Sequence, residues 1–357
     1  MVLDLTASSV DLTRAICDIP SVSGDEHRLA DEIEAAVAQL AHLEVTRHGN
    51  TIVARTNLGR TQRVVIAGHI DTVPINDNVP TRDVEIDGTA YLWGRGTVDM
   101  KAGVAVQLKL AAELTDPVVD ITWMWYDNEE VEAARNGLKL LADDRPDLFA
   151  ADFAILGEPS DGRVEGGCNG TLRAVVRTRG VRAHSARSWV GENAIHGAAP
   201  ILTRLAEYRA REIVVEGLAY REGLNAVAIR GGVAGNVIPD LCEVDVNYRF
   251  APSKSPQDAE AHVRSAFEGF DVEIVDIAAG ARPGLDAPVA QQFLAAVGGE
   301  AHAKYGWTDV ARFSALGVPA VNYGPGDPHL AHHDEERVPL AQIEDVERGL
   351  RAWLSGS

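Results

Sequence analysis

The sequence predicts an α/β protein: a mixed-sheet domain interrupted by an inserted ferredoxin-like βαββαβ unit. Two observations carry this. Four short continuous apolar runs, Val64–Ala67, Ile121–Tyr126, Phe153–Leu156 and Val318–Val321, suit strands buried on both faces of a sheet. Between the third and fourth run the rhythm changes to alternating strands and short helices in the order β-α-β-β-α-β, which is that of a split-βαβ unit. The length of 357 residues leaves room for both, since a domain takes roughly 150.

Taken in order, Ser23 or Asp25 is placed to cap a helix whose Leu29, Ile33, Val37 and Leu40 recur at spacings of three and four. Residues 101–114 and 287–304 read as amphipathic helices. In the insert, 171–179 is a strand, 193–209 a helix, 224–231 and 241–250 strands, 256–267 a helix and 272–277 a strand. Arg282-Pro283-Gly284 reads as the return linker. The predicted division is therefore 1–168 with 283–357 for the main domain and 169–282 for the insert.

Composition excludes several classes of function. A net charge of −20 repels nucleic-acid phosphates and anionic lipid heads. The chain opens with neither a basic segment nor an apolar core of the kind a secretory signal needs, and no run approaches the ~18 apolar residues of a membrane span. Cys17, Cys168 and Cys242 are odd in number and far apart, which argues against disulfides or a thiolate metal site and fits a reducing cytoplasm.

The chemistry-bearing residues follow the ends of the predicted strands, where open α/β sheets bind their ligands. Val64–Ala67 leads into His69 and Asp71, the aromatic run into Asp127-Asn128-Glu129-Glu130, Phe153–Leu156 into Glu158, and Val318–Val321 into His332-His333. Asp99 stands just before the helix at Lys101. Histidines and carboxylates without cysteine form a nitrogen/oxygen donor set suited to Zn²⁺, with Co²⁺ or Mn²⁺ as substitutes. The pair Glu129-Glu130 allows one carboxylate to bind metal while the other moves a proton. Singly, His69 could be structural and Asp99 a helix N-cap; in combination they point to a two-metal hydrolase. Gly94-Arg95-Gly96 lacks the third glycine of a dinucleotide loop and the Gly-Lys-Ser/Thr of a P-loop.

Gly68-His69-Ile70-Asp71-Thr72-Val73-Pro74, residues 94–103, Asn128-Glu129-Glu130, Gly157-Glu158-Pro159-Ser160, Gly324-Pro325-Gly326 and Ala331-His332 with Glu336 resemble, in order, the motifs of the aminoacylase/carboxypeptidase family of dinuclear zinc amidohydrolases. The resemblance implies two Zn²⁺ ions, with His69 and Glu158 on one, Glu130 and His332 on the other, and Asp99 bridging them ahead of a cis peptide bond. It implies Asp71 as the residue that orients His69, Glu129 as general base, and His184 as the insert's histidine that polarises the scissile carbonyl of a partner subunit, hence a homodimer joined through a dimerisation (lid) domain. Arg249, Arg312, Asn236 and Thr308 are its candidate contacts to substrate, the two arginines to its carboxylates, since a guanidinium fork is matched to that group.

The implied substrate is a small N-acyl amino acid bearing carboxylates, and within the family the likeness is to the actinobacterial enzymes that release succinate from N-succinyl-LL-2,6-diaminopimelate. The chain departs from other members of that group at Cys168-Asn169-Gly170-Thr171, where they carry Arg-Arg-Gly-Ser. An acetylornithine deacetylase or related aminoacylase is the alternative, and a non-catalytic zinc-binding dimeric scaffold is the alternative outside that class.

Overall fold

A computed structural model describes residues 3–356 as two compact units. The first comprises the chain up to Gly166 together with Pro283–His302 and the segment from Arg312 onward; the second comprises Gly167–Arg282 and Ala303–Ala311.

The first unit is built on a mixed sheet in which Glu44–His48, Thr51–Arg55, Asp120–Tyr126, Arg63–His69, Phe153–Leu156, Ala320–Asn322 and Val164–Gly166 lie side by side in that order. The four middle strands, from Asp120–Tyr126 to Ala320–Asn322, are mutually parallel. Their carboxyl ends therefore share one edge, and the loops after His69, Tyr126, Leu156 and Asn322 leave from it. The strand Asp120–Tyr126 is buried throughout, as a run without alternation requires.

Helix Lys101–Glu113 packs against this sheet and against helices Ser9–Cys17 and Leu340–Ser355. The sequence reads it as amphipathic, yet every residue from Lys101 to Ala111 is buried, because elements cover it on all sides. Its approach to the sheet depends on glycine: a Cβ on Gly103 would stand 2.1 Å from the Gly157 carbonyl oxygen, in the loop that carries Glu158.

Other differences from the sequence reading have local causes. The second helix is His27–Val37 and is capped by neither Ser23 nor Asp25, since the Ser23 hydroxyl is engaged elsewhere, at Asp71. An earlier helix, Ser9–Cys17, is capped by Ser8 and was not read. Residues 287–304 are not one helix: Pro288–Val297 stops at Gly298, which takes the left-handed conformation that favours glycine, and the short strand Ala301–Ala303 follows. A three-stranded sheet, Arg337–Pro339 with Thr89–Trp93 and Arg82–Ile86, joins segments some 240 residues apart and was also missed.

The second unit has a four-stranded antiparallel sheet in the order Gly223–Gly231, Leu241–Phe250, Gly170–Arg179, Asp271–Ala278. The predicted helix over 193–209 is two shorter ones, Ala194–Gly197 and Ala199–Ala206. With Pro256–Ala266 they cover a core containing Leu172, Val176, Ile201, Val244, Val246 and Val263. This is the βαββαβ arrangement, with a hairpin, Glu212–Val215 and Leu218–Arg221, added between the second helix and second strand. Ala303–Ala311 joins this unit, contrary to the predicted boundary. Asn169 N–H donates to the Lys304 carbonyl and the Trp307 indole to the Ala279 carbonyl, so the segment is bonded into the second unit.

Candidate metal centre

At the shared strand edge, side chains from five separate stretches converge. His69 is the last residue of its strand; its Nε2 lies 3.0 Å from Asp99 Oδ1. The His332 Nε2 lies 3.2 Å from Asp99 Oδ2 and 2.8 Å from Glu130 Oε1. Each Asp99 oxygen thus faces a different histidine, the arrangement a bridging carboxylate needs. His69, Asp99 and Glu158 each offer one ligand atom within 4.8 Å of the others, and so do Asp99, Glu130 and His332; a third such group is His69, Glu129 and Glu130. The peptide bond after Asp99 is cis, and His332 adopts a left-handed backbone (φ 65°). His333 is turned away, its Nδ1 accepting from Glu335 N–H.

The supporting residues are buried. Asp71 is fully enclosed; it accepts from Glu129 N–H (3.0 Å), Glu130 N–H (3.2 Å) and the Ser23 hydroxyl (2.7 Å), and its Oδ1 lies 3.4 Å from His69 Nδ1. One carboxylate therefore holds the loop of both glutamates and sets a negative charge beside the imidazole, whose Nδ1 lies 3.1 Å from the Asp71 backbone carbonyl. Glu26, also enclosed, accepts from Gly24 N–H and from Asn128 N–H. Sequence reasoning found neither Ser23 nor Glu26 in these roles, because both act on backbone or side chains about fifty or a hundred positions away.

Electrostatics shows what the cluster suits. Burial opposes a charge on His69, but Asp71 and Asp99 outweigh it and hold the imidazole well above its usual range. Hydrogen bonds to Asp99 and Glu130 raise His332 to about 10. Burial likewise opposes ionisation of Asp99, yet His332 and His69 keep its carboxyl well below the usual carboxylate range. Without a cation, protons on the imidazoles supply the positive charge among these carboxylates. A pair of divalent ions would replace those protons at the same ring nitrogens, so the donor set fits two such ions. Thiols take no part: burial pushes Cys17 up to about 12 and Cys168 to about 11, and all three cysteines are free.

The second unit holds the insert's candidates. His184 is exposed, and its Nδ1 accepts from Ala186 N–H, which leaves the Nε2 to carry the proton of the neutral ring. Asn236 lies beside it: the strand pair Ala183–His184 with Val237–Ile238 is extended by a bond from Ser185 N–H to the Asn236 carbonyl. Arg249 is half-buried on a middle strand opposite Thr171, with its Nε donating to Asn247 Oδ1. Among the described residues no carboxylate is paired with it, and burial lowers its pKa. Thr308 is buried, its carbonyl accepting from the Cys168 thiol at 3.7 Å. Arg312 belongs to the first unit, on helix Val310–Ala315, and is half-buried.

Fold and site together define an α/β protein with a candidate two-metal centre, and the comparisons give its family. Residues 65–355 match peptidase family M20/M25/M40, and the chain belongs to that family. It is a hydrolase of amide bonds. It is 49% identical to the succinyl-diaminopimelate desuccinylase of Corynebacterium glutamicum, over 99% of this chain and 98% of that one. It is 54% identical, over 99% of this chain and the whole of the other, to a Mycobacterium tuberculosis protein provisionally named as succinyl-diaminopimelate desuccinylase DapE. In fold it is similar to aminopeptidase PepT of Bacillus cereus, with a TM-score of 0.78, 19% identity and coverage of 99% of this chain and 98% of that one. No helix among the described residues is long and apolar enough to cross a membrane.

Proposed function

We propose that the chain hydrolyses N-succinyl-LL-2,6-diaminopimelate to succinate and LL-2,6-diaminopimelate with two Zn²⁺ ions, Co²⁺ being a possible substitute. The observation that carries the chemistry is Asp99, whose two oxygens face His69 and His332. The observation that supports the substrate is 49% identity, over nearly the full length of both chains, to a protein named for that reaction.

His69 and Glu158 would hold one ion, Glu130 and His332 the other, and Asp99 both. Bound there, the ions would polarise the amide carbonyl and acidify a water. Glu129, on the loop fixed by Asp71, takes a proton from the attacking water. The water oxygen bonds to the carbonyl carbon, the C–N bond breaks, and Glu129 returns the proton to the leaving nitrogen. His184 donates from Nε2 to the amide oxygen, a direction that the Ala186 N–H bond to Nδ1 favours. Arg249 receives a substrate carboxylate in place of the acidic partner it lacks, with Arg312, Asn236 and Thr308 as further contacts.

We also assign the chain to a cytoplasmic homodimer, in which His184 serves the site of a second copy. In support, Gly223–Gly231 is an edge strand with its Val227 and Ile229 exposed, a liability that pairing with a second copy removes. Light scattering should give twice the 38.2 kDa chain mass.

The test is turnover of N-succinyl-LL-2,6-diaminopimelate and N-acetylornithine by zinc-loaded protein beside a chelated control. Chelator-sensitive preference for the succinyl substrate supports the reading. Preference for the acetyl substrate overturns the acyl pocket and leaves the metal chemistry.

A further inference from the structure

We propose that the buried ion pair Arg95–Glu336 is a positioning device that holds the Asp99 backbone and the His332 loop in register for cation binding. The inference rests on the two-cation reading above.

Glu336 is 1% exposed and Arg95 4%. Glu336 Oε1 accepts from two consecutive backbone groups, Val98 N–H at 2.9 Å and Asp99 N–H at 3.1 Å. Its Oε2 accepts from Arg95 Nη1 at 2.9 Å, and the same Nη1 donates to the His333 carbonyl at 3.3 Å. The Glu336 carbonyl in turn accepts from Gly94 N–H at 2.9 Å. Five hydrogen bonds thus tie residues 94–99 to residues 333–336, and each segment adjoins or contains a residue of the Asp99–Glu130–His332 group.

Stability alone does not account for the pair. Removing two charges from water costs several kcal/mol per ion, and well-packed apolar residues in their place are often neutral or stabilising. What an apolar residue cannot do is accept from the N–H groups of Val98 and Asp99. Those bonds fix the peptide from which the shared carboxylate projects. Glutamate has the reach to accept both with one oxygen while the other remains on the guanidinium. Residues of this kind, one step behind a metal ligand, typically change metal affinity by about 10–100-fold when removed.

The experiment compares two double variants with the wild-type protein, reading the zinc dissociation constants by competition with a chromophoric chelator and the melting temperature of the chelated protein. Arg95→Leu with Glu336→Gln removes both charges and keeps an acceptor for the two N–H groups. Arg95→Leu with Glu336→Leu removes the acceptor as well. The first should bind zinc within about threefold of wild type, and the second should lose about 10–100-fold and, with two N–H groups left without an acceptor, melt at a lower temperature in its chelated form while still folding. A folded Leu/Leu variant that binds zinc as tightly as the Leu/Gln variant overturns the proposal.

Should the Leu/Leu variant fail to fold, Glu336→Asp carries the comparison. It keeps the charge on a shorter arm that cannot reach both N–H groups, so its zinc affinity should fall; unchanged affinity overturns the proposal. Wild-type protein that does not take up two zinc ions overturns the two-cation reading itself, a result distinct from wild-type uptake of two with indifferent variants.

Discussion

Replacing Asp71 by Asn tests the centre through a residue that is in none of the candidate ligand groups. The carboxylate is fully enclosed and accepts on both sides: Glu129 N–H on one, where it also faces the His69 ring at 3.4 Å, and Glu130 N–H and the Ser23 hydroxyl on the other, while the ring Nδ1 bonds the Asp71 backbone carbonyl. An amide accepts on one side only. Turned so that its carbonyl serves Glu129 and faces His69, it points its NH₂ at a hydroxyl that can rotate to accept and at the Glu130 N–H, which cannot. One buried donor is then orphaned, at about 1–3 kcal/mol, and the bonds that remain lose the charge that strengthened them, at about 1 kcal/mol more. The sum of roughly 2–4 kcal/mol is less than the 5–15 kcal/mol that folded proteins typically have, so the variant should fold. Its imidazole has lost an anionic partner, which should weaken zinc binding by about 10–100-fold. Urea unfolding of chelated protein and chelator competition measure the two effects separately. Chelated stability within about 0.5 kcal/mol of wild type together with zinc affinity within about twofold would refute the reasoning, since both effects exceed those margins.

Three further outcomes are expected. Glu129→Gln should lower kcat by about 10²–10⁴ while the protein still takes up zinc, because only the proton carrier is lost; unchanged kcat sinks the base assignment. Gly103→Ala should destabilise the first unit: alanine gains about 1 kcal/mol in helix propensity, but its Cβ at 2.1 Å from a backbone oxygen has no side chain to displace, and overpacking of this kind costs about 3 kcal/mol or more. A melting temperature at or above wild type would contradict that. Glu222 provides a pH test in the second unit. Burial opposes its ionisation, but hydrogen bonds from Lys254 and Ala251 N–H and the charge of Arg211 outweigh it and lower the pKa. Its contribution to stability is therefore present above the unfolded value near 4.5 and is lost as pH falls through the lower folded one. Glu222→Gln should flatten the acid limb of the stability profile there, read by urea unfolding between about pH 5 and 2.

Much of the site was legible because its residues stand directly after their strands. A continuous apolar run such as Phe153–Leu156 identifies a buried strand without reference to any partner, and the polar residue beyond it must lie at the strand's end. His69, Glu129, Glu130 and Glu158 follow from that local logic, and the βαββαβ order of the insert follows from periodicity within each element. The spacing to Glu336 and the resemblance single out His332 over the adjacent His333, but how a left-handed turn brings its Nε2 to Asp99 and Glu130 needed the tertiary structure. So did the all-round burial of Lys101–Glu113, which depends on neighbours from both ends of the chain. The transfer of Ala303–Ala311 to the second unit rests on hydrogen bonds to residues 169 and 279. Ser23, Glu26, Arg95 and Glu336 act through long-range bonds spanning 48 to some 240 positions, all but the Ser23–Asp71 and Arg95–Glu336 links involving the backbone at one end or both. Sequence by itself thus determined which chemical groups are present and which element ends they occupy, because those depend on near neighbours. The tertiary structure decided which backbone N–H groups and side chains they meet, because such contacts form only when distant segments pack together.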